Sequence, residues 1–228
     1  MPRILAFDAS TAACSVALIC DGNLDEKFEV APRRHAALIL PMVDALLQKY
    51  SMLLSDLDAI AVGQGPGSFM GLRTAVGIAQ GLAFASGLKV MPISSLQALA
   101  QAAYEKTQHE KVIAGWDARM SAIYWGAYRL RDGLMQPITN DVESTPAKVC
   151  LPEGDGWFAA GNAWSTYVDD LLVDVRQGFI GQDTEIYPSA GAMAQIAVQR
   201  FENGAAVDPI EAQPVYLRDN VAKVPAQK

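Results

Sequence analysis

The chain has 228 residues, 51% apolar and 19% charged, enough for one large domain or two lobes that each bury a core. A formal net charge of -7 argues against a module that grips nucleic acid by itself, because phosphate attracts Lys and Arg; it leaves open membership of an RNA-modifying assembly. Three cysteines without a Cys-x-x-Cys pair, an Asp8 that arrives too early for a signal peptide, and no apolar stretch of membrane-spanning length point to a reducing, cytoplasmic setting.

In chain order, Ile4 to Phe7 is an apolar run ending at Asp8, which predicts a buried strand with a carboxylate at its tip. Cys14 to Cys20 is apolar on both alternating faces apart from Ser15, so a central strand is predicted. Asp21-Gly22 is a hairpin signal, and the alternating, charge-rich stretch from Leu24 to Val30 suits a sheet edge. Apolar residues at helical spacing predict a helix over His35 to Tyr50, kinked near its start by Pro41. Its stripe is wider than one buried face needs. Ala59 to Val62 reads as a buried strand closed by Gly63. Ser68 should cap a helix that Gly87 stops after Ser86. Lys89 to Met91 is a further strand, and Ser94 or Ser95 should cap a helix toward Tyr104.

The second half repeats the first. Val112 to Ala118 mirrors Arg3 to Ala9, Ala122 to Leu130 is again a long apolar strand, and Asp132-Gly133 again supplies a hairpin turn. Each element is common alone; their shared order points to duplication into two lobes joined near Gln108 to Lys111. Thr145-Pro146 then opens a short helix, Trp157 to Gly161 is a strand, and Ser189 caps a helix to about Asn203-Gly204. Asp208 to Lys228, with Pro209, Pro214 and Pro225, reads as an extended tail.

Two turns could carry chemistry. Asp8-Ala9-Ser10-Thr11 sits at a strand tip where hydroxyls and backbone N–H groups could cradle phosphate, and Asp117 would face Asp8 across a cleft and could help hold a metal ion. Equally, both aspartates could simply cap turns, since neither turn has the glycine that close phosphate approach favours. Gly63-Gln64-Gly65-Pro66-Gly67-Ser68 precedes a helix, yet it lacks the Gly-Lys-Ser/Thr ending of a P-loop, and Pro66 has no N–H to donate. It is a tight strand-to-helix turn, a weak anion loop, or a device that presents Phe69 to a partner. The helix behind it carries Gly71, Ala75 and Ala79 four apart, and Gly77, Gly81 and Ala85 likewise. An interior glycine costs about 1 kcal/mol relative to alanine, so close approach is expected on two faces, internal, external or both. Only His35 and His109 exist, far apart, and no Gly-x-Ser-x-Gly elbow is present, so metallopeptidase and serine-hydrolase readings have little support.

Asp8-Ala9-Ser10-Thr11 with Cys14 to Leu18, Arg34-His35-Ala36 with Leu40-Pro41, Gly65-Pro66-Gly67-Ser68-Phe69 with Gly71-Leu72-Arg73, and Pro214 to Arg218 together resemble the bacterial TsaB (YeaZ) family over nearly the whole chain. The resemblance implies an α/β, actin-like (ribonuclease-H-like) duplicated two-lobed fold, with mixed sheets flanked by helices. It implies lobes of about residues 1–107, with the dimerisation helices, and 108–228, reduced and with an extended tail. It also implies a non-catalytic subunit needed to make threonylcarbamoyladenosine beside the anticodon of tRNAs that read codons beginning with A. The partners so implied are the catalytic paralogue TsaD, the TsaE ATPase and, functionally, a TsaC-type synthase, with tRNA met only through the complex and a homodimer formed in isolation. The implied partner surface is on the first two helices: His35, Ile39, Met42, Val43 and Leu46, then Phe69, Leu72, Arg73, Val76, Gly77, Gln80 and Gly81. No cofactor is expected on this subunit alone, and ATP only at a complex interface. Asp8, Ser10, Thr11 and Asp117 would be a vestigial nucleotide site. The paralogue's His-x-x-x-His metal motif corresponds here to Ser94 to Ala100, which has no ligand. The competing reading is an actin-like ATPase or small-molecule kinase using Asp8, Thr11 and Asp117.

Overall fold

The computed structural model describes residues 1–218. The first sheet has the order β3-β2-β1-β4-β5, with β1 (Ile4–Asp8), β2 (Ala13–Cys20), β3 (Asn23–Val30), β4 (Ala59–Gly65) and β5 (Lys89–Ser94). β2 is antiparallel to β1 and β3, whereas β4 and β5 run parallel to β1. The second sheet has the order β11-β10-β6-β7-β8, from β6 (Lys111–Arg119), β7 (Ala122–Arg131), β8 (Leu134–Pro137), β10 (Trp157–Ala160) and β11 (Phe179–Asp183), with β9 (Val142–Ser144) pairing β7 off this path. Here β7 and β8 are the antiparallel hairpin, and β10 and β11 run parallel to β6. The two sheets therefore share one topology, and the duplication read from the sequence is present in space.

Both hairpin turns form as their residues dictate. Asp21 and Gly22, and again Asp132 and Gly133, all take positive φ, the requirement of a two-residue turn that matches strand twist. β1 is apolar up to Asp8 because it is covered on both faces: Leu5 and Phe7 pack toward α1 (His35–Lys49) and α2 (Phe69–Ser86), while Ile4 and Ala6 face α6 (Ala190–Glu202). α1 runs uninterrupted through Pro41. β4 and β5 extend beyond their predicted ends because ladder hydrogen bonds, not apolar character, carry them to Gly65 and Ser94. Ser68 Oγ accepts from Gly71 N–H and Gly87 takes φ 69°, so α2 begins and ends where its caps predict. The Thr145-Pro146 start yields only a single 3-10 turn, Pro146–Lys148.

Helices cross between the halves. α3 (Ser95–Thr107), capped by Ser94, buries Leu96, Leu99, Ala100 and Ala103 against Val112, Ala114 and Tyr128 of the second sheet. α6, capped by Ser189, buries Met193, Ile196 and Ala197 against the first. The outer face of the second sheet is closed by Trp125, Trp157 and Trp164 with the short α4 (Ala163–Thr166) and α5 (Val173–Gln177). After a 3-10 turn at Pro209–Glu211, the chain runs as a strap, with Val215 N–H donating to Gln64 O at 2.7 Å. The predicted tail around Pro225 lies outside the described residues. Among those described, no helix is long and apolar enough to cross a membrane.

Candidate functional site: an interlobe cleft and an uncovered helix face

The strand tip at Asp8 is sealed rather than open. Asp8 is almost fully buried and accepts from Ser10 N–H at 2.8 Å, Ser10 Oγ at 2.7 Å and Ser95 Oγ at 2.8 Å. Burial pushes its carboxyl up, against the opposing pull of those three hydrogen bonds. A Cβ on Gly63 would lie 1.9 Å from Asp8 Oδ2, so the glycine lets β4 close over the carboxylate. The glycine-rich loop is likewise set by the chain's own turn. Ser68 N–H donates to Ser10 O at 2.6 Å, and a Cβ on Gly67 or Gly71 would meet Ser10 O at 2.3 Å or Ala9 O at 1.9 Å. Of the three readings of Gly63 to Ser68, the tight turn accounts for these glycines.

A cleft of about 850 Å3 opens between the lobes beside this turn. The first lobe contributes Ser10, Thr11, Arg33, His35 and the start of α2, including Phe69 and Arg73; the second contributes Trp116, Asp117, Arg119, Tyr124, Asn162 and Tyr187. Val215, Tyr216 and Arg218 of the strap complete the lining. Asp8 is not part of it, so the facing pair of aspartates does not form. Asp117 instead accepts from Tyr167 Oη at 2.7 Å and Arg119 N–H at 2.8 Å, pairs with the Arg119 guanidinium at 3.0 Å, and its own N–H donates to Asn162 Oδ1 at 2.9 Å. It thus orders the second-lobe turn. Among the described residues, no group of three or more His, Cys, Asp or Glu side chains comes together as a metal set.

Arg73 stacks on Phe69, with the guanidinium 3.8 Å from the ring centroid, and donates to Tyr216 Oη at 2.9 Å; Phe69 and Tyr216 lie 5.4 Å apart. Arg218 is held by Glu143 at 2.6 Å, a hydrogen bond that raises the guanidinium's already high pKa. Trp116 and Tyr187 form a tilted pair at 5.2 Å on the opposite wall. His35 Nε2 is buried without a hydrogen-bond partner among the described residues. Sequence reasoning missed Arg33, Trp116, Arg119, Tyr124, Tyr187 and Arg218. Two strands (β6 and β7), two loops and the strap deliver them; Arg218 ends the Pro214 to Arg218 motif, and the others stand in no recognisable local motif.

The twelve residues placed on a partner surface divide sharply. Ile39, Val43, Leu46, Leu72 and Val76 are buried in the chain's own core, because the wide apolar stripe of α1 and the inner face of α2 both pack on the first sheet. They cannot touch a partner directly. Met42 is partly buried against the same core. Gln80 is tied inward, its Nε2 donating to Ala212 O at 2.9 Å. His35, Phe69 and Arg73 line the cleft, while Gly77 and Gly81 are exposed, with nothing within 4 Å of where a Cβ would stand. Around them, Met70 and Phe84 of α2 and Leu40 of α1 are exposed, Phe84 by 84%. One face of α2 therefore uses its small residues internally (Gly71, Ala75, Ala79), and the other leaves them uncovered.

Over residues 29–226 the chain matches the family described as TsaD, tRNA N6-adenosine threonylcarbamoyltransferase. It is 40% identical to the tRNA threonylcarbamoyladenosine biosynthesis protein TsaB of Escherichia coli, over 99% of this chain and 100% of that one. It is 36% identical to the protein of the same description from Haemophilus influenzae, over 99% and 98% of the two chains. The solved structure of YeaZ from Pseudomonas aeruginosa superposes with a TM-score of 0.91 at 41% identity, covering 95% of this chain and 100% of that one. The duplicated two-sheet architecture is thus the actin-like α/β fold.

Proposed function

The chain belongs to the TsaB (YeaZ) family, and from that premise we propose that it is a non-catalytic scaffold subunit in tRNA threonylcarbamoyladenosine biosynthesis. It works in the cytoplasm, pairs with the catalytic paralogue TsaD, and in that pairing enables recruitment of the TsaE ATPase, downstream of a TsaC-type synthase. No cofactor is held by this subunit alone, and ATP enters only at a surface shared with a partner.

The observation that carries this reading is the uncovered face of α2. Gly77 and Gly81 sit in open space between exposed Met70 and Phe84, so a neighbouring helix can approach the backbone closely while the two large side chains flank it. The same face can serve a homodimer when the paralogue is absent. Ser94 to Ala100 supports the non-catalytic part: this stretch caps and packs α3, with Ser95, Leu96, Gln97, Ala98, Leu99 and Ala100 all buried. An ATPase or kinase built on Asp8, Thr11 and Asp117 would need Asp8 to face the cleft, and it does not line it.

Mixing the chain with TsaD and measuring mass by light scattering should give a heterodimer at micromolar concentration; two separate species would sink the proposal. Reconstituted tRNA modification should fail when this chain is omitted and return when it is restored. Calorimetry should give no ATP binding by the isolated chain, whereas saturable binding lost in Asp8→Ala would favour the kinase reading.

A further inference from the structure

We propose that the interlobe cleft binds single-stranded RNA, holding a backbone phosphate at Arg33, Arg73 and His35 and stacking a base on the Trp116–Tyr187 pair. The proposal rests on the tRNA-directed role above and gives this chain its own contact with the nucleic acid.

The charge balance of the cleft runs against that of the chain. The whole sequence carries a net charge of -7, yet four arginines line this one cavity with Asp117 as the sole lining carboxylate among the described residues. Asp117 neutralises Arg119, and Glu143 neutralises Arg218. Arg33 and Arg73 make no ion pair with a described residue, so the positive excess is local and faces the cavity. Arg73 is already oriented by the Phe69 ring and the Tyr216 hydroxyl, which lowers the ordering cost of meeting a phosphate. The buried, unpartnered His35 Nε2 points to a further polar group in the same cavity. Three partly exposed rings, Trp116, Tyr124 and Tyr187, stand on the opposite lobe. Arginines on one wall and stacking rings on the other are the arrangement that takes a single strand, whatever its sequence.

A metal-bound nucleoside triphosphate fits less well, since Asp8, the carboxylate nearest the hydroxyl turn, is sealed beneath Gly63 and Ser95. An acidic peptide would find the arginines but make little use of the rings. Arg33 precedes α1 and Arg73 lies in the first turns of α2, so the positive charge of this wall is supplied by two separate segments rather than by one side chain. The cleft also shares Phe69 and Arg73 with the start of α2, so RNA there would lie beside a partner docked on that helix.

Tryptophan fluorescence reads the site directly, because Trp125, Trp157 and Trp164 are buried and Trp116 alone is partly exposed. The full-length chain, alone and mixed with TsaD, should be titrated with a short single-stranded oligoribonucleotide, the same strand as a duplex, and AMP. Saturable quenching by the single strand is expected, falling as salt rises, with the duplex and AMP at least about tenfold weaker. Arg33→Ala and Arg73→Ala should each weaken binding of a labelled strand, followed by anisotropy, by about tenfold, and Arg73→Lys should restore part of it. Trp116→Ala should weaken binding where Trp116→Phe keeps it. Circular dichroism of each variant checks that it is folded. No saturable binding in either state, equal affinity for the duplex, AMP that competes as well as the strand, or binding unchanged in both arginine variants would each overturn the proposal. If tRNA modification still depends on the chain in that case, the scaffold role stands and only the RNA cleft falls.

Discussion

Asp141 accepts hydrogen bonds from the Tyr128 hydroxyl and from Ser94 Oγ at the seam between α3 and the second sheet. Burial raises its carboxyl above the usual range, outweighing both hydrogen bonds. The folded state thus holds this proton more tightly than the unfolded chain. The stabilising contribution is complete below the ordinary carboxylate value of about 4 and is lost as pH rises through the raised value. Asp8 and Glu105, raised mainly by burial, act in the same direction. Asp141→Asn should therefore gain stability relative to the parent as pH climbs from about 4 toward neutrality, read as unfolding free energy in urea. An advantage constant with pH would contradict this. The cysteines give a second residue-level expectation. Burial pushes the Cys14 thiol up to about 11, Cys20 is buried, and Cys150 is exposed. A thiol reagent at neutral pH should label one site quickly, at Cys150, and the other two only on unfolding.

Within α2 the glycines perform two different tasks, and substitutions should separate them. Gly77→Leu and Gly81→Leu place side chains in open space, so each variant should fold normally while losing association by light scattering. Gly71→Leu drives a side chain into Ala9 O and should cost at least the 1–3 kcal/mol typical of overpacking, roughly, in unfolding free energy. Leu72→Ala should likewise lose about 2–5 kcal/mol, because Leu72 is buried behind the surface rather than on it. The element itself was legible in the sequence: Ser68, Gly87 and the small-residue spacing place its start, its end and its two faces of small residues. Which small face is covered was not legible, since that depends on where α1 and the Asp8 turn settle in space.

At the scale of the molecule, the lobes are bound together by exchange. α3 leaves the first half to pack on the second sheet, α6 returns from the second half to the first, and the strap links Gln64 to Glu143 through Val215 and Arg218. Independent unfolding of either lobe would expose a core built partly from the other. All four tryptophans lie between Trp116 and Trp164, so fluorescence reports the second sheet while far-UV circular dichroism reports both. The two signals should give coincident transitions. Met193→Ala, made in α6 against the first sheet, should shift the fluorescence midpoint as well; separate transitions would mean the exchange does not couple the lobes.

By itself the sequence determined most of the strands, though not β9 or β11, together with the helix caps, the hairpins and the internal duplication, because these follow from apolar periodicity and from residues such as Asp21-Gly22, Ser68 and Gly87 whose backbone preferences are local. It also determined the family, through motifs spread over nearly the whole chain. Only the tertiary structure decided that Asp8 lies sealed below the cleft, that Ile39 and Leu72 belong to the core, and that arginines from distant segments converge on one cavity in an acidic protein. Net charge averages over the surface, whereas a binding site depends on which few charges the fold brings to the same wall.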